Sequence, residues 1–522
     1  MEQKMALSGA DYTVMFVIGC IVLGLGWYFR HSQSSSKDFL LAGRSAPWIA
    51  VGISQLATLL SAISYLGNPG EAYNFDLQFL VYIILGYASV PIVIRCFLDF
   101  FYRLELTSIH GYLERRFDLR TRVFASCLFI LARLAWMATV LIAVAVAIEQ
   151  LIGLSEQTSI LVVSILALAY TLLGGMRAII WTDVLQFFLF LFGMIGAIWV
   201  LVHQDSWQRL YEIAQADQKL TLVNFSVRPT DRINIWICIF AGGIAGMANL
   251  TDQVSMQRYL STRTLADARR AIWIKPFLSI PVLVMTFVLG LCLYGHYQIH
   301  PMPPEVSVSG DKVFPYFIRT EMSGGLAGLM ITAILAAAMS SIDSGIHTIS
   351  TVCLEDYIVR FRKQSLSAEQ HLRMARHLTI FWAVVIALVA LWLVDEGSII
   401  GVMYRIIAPY FGCLTAVFLL GTVFTRANGF GAFWGSVLAY GTVLFLQRQV
   451  IYTTGGWSVR WLESAESISG ASTISNFAMP FVGFTLTLVA GNLLSRFRAQ
   501  PRIENLEGLC LKHACIDPKR FG

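Results

Sequence analysis

Long apolar segments and short polar segments alternate along the whole chain. Val14–Trp27, Ile160–Leu173 and Val184–Val202 carry almost no charge. Apolar runs of about 20 residues match the hydrocarbon core of a bilayer, which is about 30 Å thick. Lipid offers the backbone no hydrogen-bond partners, so helices are the expected form, and the runs lack the alternation of barrel strands. The pattern therefore predicts an all-α membrane protein.

Hydrophobic windows of transmembrane length predict about thirteen transmembrane helices. Their predicted ranges are 11–30, 47–66, 78–98, 123–150, 158–175, 178–202, 233–250, 270–296, 323–353, 378–395, 398–424, 428–447 and 476–496. The largest loops, near 203–232 and 449–475, are too short for an ordinary soluble domain. We therefore expect residues 1–522 to form a single transmembrane domain in the lipid bilayer, with 497–522 as a cytoplasmic tail.

The charged residues support this class of protein and orient it. Only 13% of the 522 residues are charged, against about 25% in soluble domains. With the N-terminus outside, the inside loops hold roughly 24 basic residues and the outside loops roughly 9, which fits the positive-inside rule. The inside set includes Arg115, Arg116, Arg258 and Arg360. The net charge of +6 therefore reflects cytoplasmic loops, and no nucleic-acid partner is expected. We expect a multi-pass protein of the cell (plasma or inner) membrane with its C-terminus in the cytoplasm.

Two spans contain enough small and helix-breaking residues to be interrupted. The second span and the residues just beyond it hold Gly52, Ser54, Thr58, Ser61, Ser64, Gly67 and Pro69. The seventh span holds Ala241, Gly242, Gly243, Gly246 and Asn249. Interrupted helices at matching places in two halves indicate an inverted-repeat transporter with its binding site at the breaks. Ordinary packing of helices through small residues is the alternative.

Four charged residues fall inside predicted spans, where charge is costly and usually functional. They are Arg133, Asp183, Asp343 and Arg405. Asp343 lies deep in the ninth span, where Ser340 and Ser344 share one helix face, and hydroxyls with a carboxylate suit a small hard cation. Asp183 either draws a cation inward or is the N-terminal acid of a helix. Arg133 either clamps a carboxylate of a solute or pairs with Asp343 or another acid of the protein.

Several short motifs carry a resemblance to a known family. They are Tyr170–Ala178 followed by Trp181-Thr182-Asp183; Leu106-Thr107-Ser108, Tyr112-Leu113-Glu114 and Arg116-Phe117; Asp252-Gln253 and Gln257-Arg258-Tyr259-Leu260; and Gly421, Arg426-Ala427-Asn428 and Gly435. With these motifs the chain resembles the sodium:solute symporter family over nearly its whole length. The resemblance implies a leucine-transporter-type fold with two inverted five-helix repeats. An extra helix, 11–30, would precede repeats 47–202 and 233–424, and two C-terminal helices would occupy 428–496.

The resemblance also implies where sodium binds. Its main site would take carbonyls from Ala57, Leu60 and Ala337 and hydroxyls from Ser340 and Ser341. A possible second sodium site would be formed by Asp183, Ser340, Asp343 and Ser344. At position 343 relatives usually have Ser or Thr. The added carboxylate of Asp343 could hold a cation, carry a proton or pair with Arg133.

The expected function is sodium-coupled import of a small polar solute by alternating access. Bacterial sialic-acid carriers of the family use an arginine and a glutamine at the positions of Trp136 and Ile83, so sialate is not supported here. A sugar, a sugar acid or another small carboxylate is expected. The candidate solute-binding residues are Ser61, Ser64, Phe79, Arg133 and Trp136.

Three alternatives are weighed against sodium symport. A proton-coupled carrier of the same fold would use Asp343 and His347, which are four residues apart. A membrane-embedded enzyme is more distant, because His110 and Glu114 lack a third ligand. A transporter-like sensor would carry an appended signalling domain, and the tail after Arg498 is too short for one. The chain is expected to be no enzyme, to need Na⁺ alone besides its solute, and to work as a monomer.

Overall fold

A computed structural model describes most of the chain. The described residues are 7–29, 35–61, 63–228, 231–303, 306, 310–322, 324–364, 366–393, 399–453, 456–461, 475–502 and 506–511. Arg405, one of the four charges within predicted spans, lies on a helix but outside the residues whose side chains are described.

Helices dominate the N-terminal half of the chain. They are α1 (Gly9–Phe29), α2 (Ser36–Leu41), α3 (Trp48–Leu59), α4 (Asn68–Asn74), α5 (Gln78–Gly86), α6 (Val90–Val93), α7 (Asp99–Arg103), α8 (His110–Arg116), α9 (Leu119–Ile152), α10 (Glu156–Asp205) and α11 (Trp207–Ala216). Short π-helical turns at Ile63–Gly67 and Ile94–Leu98 and 3₁₀ turns at Ala42–Arg44 and Tyr87–Ser89 link several of them.

The C-terminal half is built in the same way. Its helices are α12 (Gly243–Thr251), α13 (Gln253–Tyr259), α14 (Leu265–Ile299), α15 (Gly310–Glu321), α16 (Leu326–Val352), α17 (Val359–Phe361), α18 (Ala368–Leu393), α19 (Ile399–Val423), α20 (Gly429–Leu446) and α21 (Met479–Ser495). Further turns are π-helical at Ile237–Gly242 and Cys353–Ile358 and 3₁₀ at Asn476–Ala478. One antiparallel hairpin, β1 (Arg448–Thr453) with β2 (Gly456–Trp461), lies in the predicted loop 449–475 and was not foreseen.

The described helices lie where the sequence predicts spans. Nine are long and apolar enough to cross a membrane, one bent pair (Ile237–Thr251 with Gln253–Tyr259) would count as a tenth span, and three shorter apolar helices are Trp48–Thr58, Glu156–Ala169 and Tyr410–Val423. Together these thirteen segments match the thirteen predicted ranges one to one. The three short segments explain why length alone would undercount the spans.

Local sequence signals set the ends of the long helices. Asp118 caps α9 by accepting a hydrogen bond from the backbone N–H of Thr121 at 2.8 Å, and Gly153 ends the helix with φ 81°. An acceptor at the N-cap and a glycine in the left-handed region are the usual helix boundaries. Gly175 bends α10 with φ 53°, at the turn expected between the fifth and sixth spans.

The first predicted break is confirmed in α3. The helix ends at Leu59, and Leu60 leaves helical geometry with φ −80° and ψ 67°. The chain returns to a π-helical turn at Ile63 and then to α4. The last four carbonyls of a helix have no intrahelical partner. The break therefore frees backbone oxygens in the middle of the bundle.

The second break lies elsewhere than the glycines suggested. Helix α12 continues to Thr251, and the chain turns at Asp252, whose Oδ1 accepts from the Ser255 N–H at 2.9 Å and so starts α13. The bend between the two helices is 51°. Gly242 and Gly246 instead pack directly on the backbone of α5, where Gly86 leaves room. Small-residue packing, the alternative interpretation, is correct for these glycines.

The motif residues gather on one face of the bundle. Arg116 donates to the carbonyls of Gly421, Phe424 and Ala427 at 2.8–3.0 Å, which joins two of the sequence motifs. Arg122 bridges two acids: its Nη1 lies 2.7 Å from Glu114 and its Nη2 lies 2.6 Å from Asp356. These contacts give the motifs a structural role, because Arg116 bonds to carbonyls at and just after the C-terminal end of α19.

The same face ties the two halves of the chain together. Gln253 accepts from the Ile109 N–H at 2.7 Å and donates to the Thr107 carbonyl at 2.8 Å. Arg177 of the signature segment donates to Ser45 Oγ at 2.8 Å. Motifs far apart in sequence are therefore neighbours in space.

Replacing Gly246 with alanine tests the close contact between α12 and α5. The added methyl would overlap the backbone of Gly86, whereas a methyl at Gly243 meets open space. We expect Gly246→Ala to cost about 1–3 kcal/mol of stability or more, because backbone cannot move aside as a side chain can. Thermal unfolding of the purified protein measures this, with Gly243→Ala as the matched control on the same helix. Equal melting temperatures for the two variants would contradict the packing described here.

Candidate cation and solute sites

Two serines of α16 reach the freed backbone of α3. Ser340 Oγ lies 3.1 Å from the Ala57 carbonyl and 3.0 Å from the carbonyl of Ala337, and Ser341 Oγ donates to the Thr58 carbonyl at 2.9 Å. All of these residues are buried. The structure thus brings together four of the five residues predicted for the main sodium site. The Thr58 carbonyl is an addition that the sequence analysis missed, although it neighbours Ala57.

Leu60, the fifth predicted ligand, lies at the break itself and lines the cavity next to it. The five predicted ligands of the main site offer only carbonyl and hydroxyl oxygens. Hard cations bind oxygen ligands of this kind. The donor set therefore fits Na⁺.

The predicted second site holds an arginine that the sequence analysis placed in a cytoplasmic loop. Arg258 is fully buried, and its guanidinium donates to Asp183 at 3.1 Å and to Ser54 Oγ at 2.9 Å. It also donates to Ser344. Asp183 accepts from Ser54 at 2.5 Å as well. Arg258 was counted among the loop residues of the positive-inside bias, but it lies in the last turn of α13 and its side chain is buried in the bundle.

Asp343 joins the same group. Its Oδ1 accepts from the hydroxyl of Ser344 at 2.9 Å and from the Ser344 N–H, and Asp343 is fully buried. Among the described residues, Asp183 Oδ1 has no hydrogen-bond partner. The four predicted residues are therefore close together. Asp183 bonds to the Arg258 guanidinium, and Asp343 joins the group through Ser344, which also accepts from Arg258, so the group holds two carboxyl groups and one guanidinium.

His347 is also buried near this group. Its Nε2 lies 3.0 Å from the Phe39 carbonyl, and its Nδ1 lies 3.4 Å from the amide nitrogen of Gln257. A neutral imidazole satisfies both contacts, with Nε2 donating and Nδ1 accepting. Nothing in this arrangement requires His347 to carry a second proton.

Arg133 has a partner within the protein. Its guanidinium pairs with Asp252 at the second helix break and lies 5.9 Å from the centre of the Trp136 ring. Of the alternatives, pairing with another acid of the protein is the one observed. Arg133 is not among the residues that line the central cavity, so the geometry does not support its predicted role as a solute ligand.

The central cavity lies directly beside the α3 break. Its volume is about 140 Å³. The predicted residues Ser64, Phe79 and Trp136 line it, and so does Ile83, whose position the family resemblance assigned to the solute pocket. Ser61 is buried nearby but is not part of the lining. Asn249 and Lys275 also face the cavity.

Lys275 was missed although a signal for it was present. It lies inside the predicted span 270–296, where the criterion that selected Arg133 applies equally. It follows Arg269 and Arg270 closely in sequence and was passed over together with these loop arginines. In the structure Lys275 is 1% exposed.

Broken helices, an oxygen-lined cation site and an adjacent cavity are typical of an ion-coupled membrane carrier. The model of the sodium:solute symporter family matches residues 39–439. The chain therefore belongs to the sodium:solute symporter family.

Similarity to individual transporters supports this assignment. The sodium/sialic acid symporter SiaT of Proteus mirabilis (strain HI4320) is 32% identical over 441 residues, which cover 83% of this chain and 88% of that protein. The sodium-coupled monocarboxylate transporter 1 of Mus musculus is 27% identical over 449 residues, 84% of this chain and 72% of that protein. A solved outward-open structure of a Na⁺-coupled sialic acid symporter superposes with a TM-score of 0.84 at 27% identity, covering 95% of this chain and 99% of that one.

These findings confirm the general function and the fold. The protein is a multi-pass membrane transporter that couples Na⁺ to the movement of a small organic solute by alternating access, and it is not an enzyme. The leucine-transporter-type fold implied by the motifs is confirmed.

Removing Arg258 tests whether it neutralises Asp183. We expect Arg258→Met to destabilise the protein by about 3–5 kcal/mol, because it leaves a buried carboxylate without its partner. The double variant Arg258→Met/Asp183→Asn removes both charges and should recover a large part of that loss. Thermal unfolding in detergent, read as a double-mutant cycle, measures the coupling. Purely additive losses would show that the two side chains do not interact.

Proposed function

We propose that the main coupling ion binds between Ala57 and Leu60 at the end of α3 on one side and Ala337, Ser340 and Ser341 of α16 on the other. The observation that supports this most is the contact of both serine hydroxyls with the carbonyls freed by the α3 break. An ion held there would tie α3 to α16 and fix the shape of the break.

The coupling to the solute follows from a shared wall. Leu60 belongs to the break and also lines the cavity. An ion that orders Leu60 favours solute binding, and the solute favours ion binding equally, with a coupling typically of about 1–3 kcal/mol. Release of Na⁺ to the cytoplasm is driven by its gradient and by an inside-negative potential, about 2.3 kcal/mol per charge per 100 mV.

A second cation is proposed at Asp183, Ser340, Asp343 and Ser344. The partnerless Oδ1 of Asp183 and the added carboxylate of Asp343 support it. With Arg258 present, one more positive charge balances the group. A proton on Asp343 would balance it as well, so proton coupling through Asp343 remains the competing mechanism.

The solute is proposed to be a sugar, a sugar acid or another small carboxylate, taken into the cavity lined by Ser64, Phe79 and Trp136. Trp136 and Ile83 stand where the sialic-acid carriers resembled by this chain use polar residues, which argues against sialate itself. The relatives include a sodium/sialic acid symporter and a sodium-coupled monocarboxylate transporter.

The proposed orientation puts the N-terminus outside and the C-terminus in the cytoplasm, and the transporter works as a monomer. The gathering of Arg115, Arg116 and Arg122 with the motif residues on one face supports a cytoplasmic assignment of that face. A membrane-impermeant label directed to a cysteine placed at either terminus in intact cells would test it.

Ser341→Ala tests the main sodium site. The variant removes a hydroxyl that contacts the broken helix, so we expect sodium-dependent uptake to fall at least about tenfold while expression is unchanged, the loss of one ion ligand being worth at least about 1.4 kcal/mol. Ser350→Ala is the matched control, because Ser350 is buried in the same helix but its hydroxyl bonds to its own Ile346 carbonyl at 2.6 Å. Unchanged sodium dependence in Ser341→Ala would reject the site.

Thermal stability of the wild type in sodium against potassium separates the coupling ions. A ligand that binds only the folded protein raises its melting temperature. A sodium-specific rise is expected. A response to pH in place of sodium, lost in Asp343→Asn, would instead favour proton coupling.

A further inference from the structure

Lys275 places a buried amine in the wall of the central cavity. It lies on α14, is 1% exposed, and its Nζ has no hydrogen-bond partner among the described residues. It is also the only charged residue in the described lining of the cavity. The remaining lining is apolar, aromatic, hydroxyl or amide in character.

Three acids on neighbouring elements have arginine partners, and a fourth, Asp343, bonds to a serine. Asp252 pairs with Arg133, and Asp183 pairs with Arg258. Glu71 of α4 pairs with Arg232. Asp343 accepts two hydrogen bonds from Ser344. The protein therefore supplies no carboxylate to Lys275 within its described part.

An ammonium group buried without a partner is strongly unfavourable, so such an amine either gives up its proton or takes a partner of opposite charge. Here the amine lines a cavity of about 140 Å³, which is large enough for a small molecule. A counter-charge that arrives with the transported solute satisfies it. One ammonium balances one negative charge, whereas a dianion would carry an uncompensated charge into the same apolar surroundings.

We propose that Lys275 binds the carboxylate of a monoanionic organic solute. This rests on the proposed function, because it takes the cavity as the transport site and narrows the solutes from sugars or acids to acids. Asn249 and Ser64 face the same space and can bind a hydroxyl or amide of the solute. Phe79, Tyr82 and Trp136 provide flat apolar surfaces for the rest of it. Lys275 thus takes the role that the sequence suggested for Arg133.

The test compares acids with their own amides in saturating sodium. Lactate and lactamide, nicotinate and nicotinamide, and glucuronate and glucuronamide are added to the purified full-length protein, and melting temperatures are recorded. We expect at least one acid to stabilise the wild type while its amide does not. Lys275→Met should lower the affinity for that acid about 10- to 100-fold, which is the range for losing a hydrogen bond to a charged group. Lys275→Arg, which keeps the charge, should retain most of the affinity.

The solute-free variant gives a readout that does not depend on choosing the right acid. Lys275→Met removes a partnerless buried charge, so it should melt at a higher temperature than the wild type when no solute is present. A lower melting temperature would mean that Lys275 has a partner in the protein, and it would overturn the proposal. Lys275→Gln provides a second neutral variant if the methionine variant is produced poorly.

The control and the remaining outcomes separate this proposal from the one it rests on. Lys219→Met is the matched control, because Lys219 already donates to the Tyr73 carbonyl at 2.8 Å and does not line the cavity. Amides as effective as acids, or an undiminished acid response in Lys275→Met, would overturn the role of Lys275 while the sodium response persists. Loss of the sodium response in the wild type would instead reject the proposed coupling site.

Discussion

The structure depends on how a break in a buried helix is satisfied. Helix α3 stops at Leu59 within the buried bundle, where lipid offers no hydrogen-bond partner to the carbonyls it releases. Hydroxyls from Ser340 and Ser341 reach the carbonyls of Ala57 and Thr58. The cation site, the adjacent cavity and the contact between α3 and α16 all follow from this one discontinuity. A continuous α3 would leave no oxygen free to bind an ion.

Charge balance is the second constraint. Arginines are placed against the buried acids at both helix breaks, as Arg133 with Asp252 and Arg258 with Asp183. Each pair joins residues from different helices, so charge neutrality and the relative position of the helices are linked. In such surroundings an uncompensated charge is informative, because the protein has the means to neutralise one and has not done so at Lys275.

Much of the fold could be predicted from the sequence. Hydrophobic runs gave the thirteen segments, because the thickness of a bilayer leaves little choice of length. The motifs gave the residues around Ser340 and Ser341, which the structure brings together. The partners of Arg133 and Arg258 could not be predicted, since pairing depends on which side chains converge from distant helices. The second break was placed at the glycines because small residues serve breaks and close packing alike; Asp252, which begins the next helix, carried the better signal.

Gly86 of α5 contacts Gly242, which ends the π-helical turn Ile237–Gly242, and Gly246 of α12, and this close contact limits how solute preference can change. Backbone meets backbone there, so this wall of the cavity has no rotamers to rearrange and tolerates almost no larger residue. Substitutions that change solute preference are therefore expected at other lining residues, such as Trp136, Lys275 and Phe411, whose side chains can be replaced. The contact between these glycines stays fixed, and a new solute preference can arise from substitutions at the other lining residues without disturbing it.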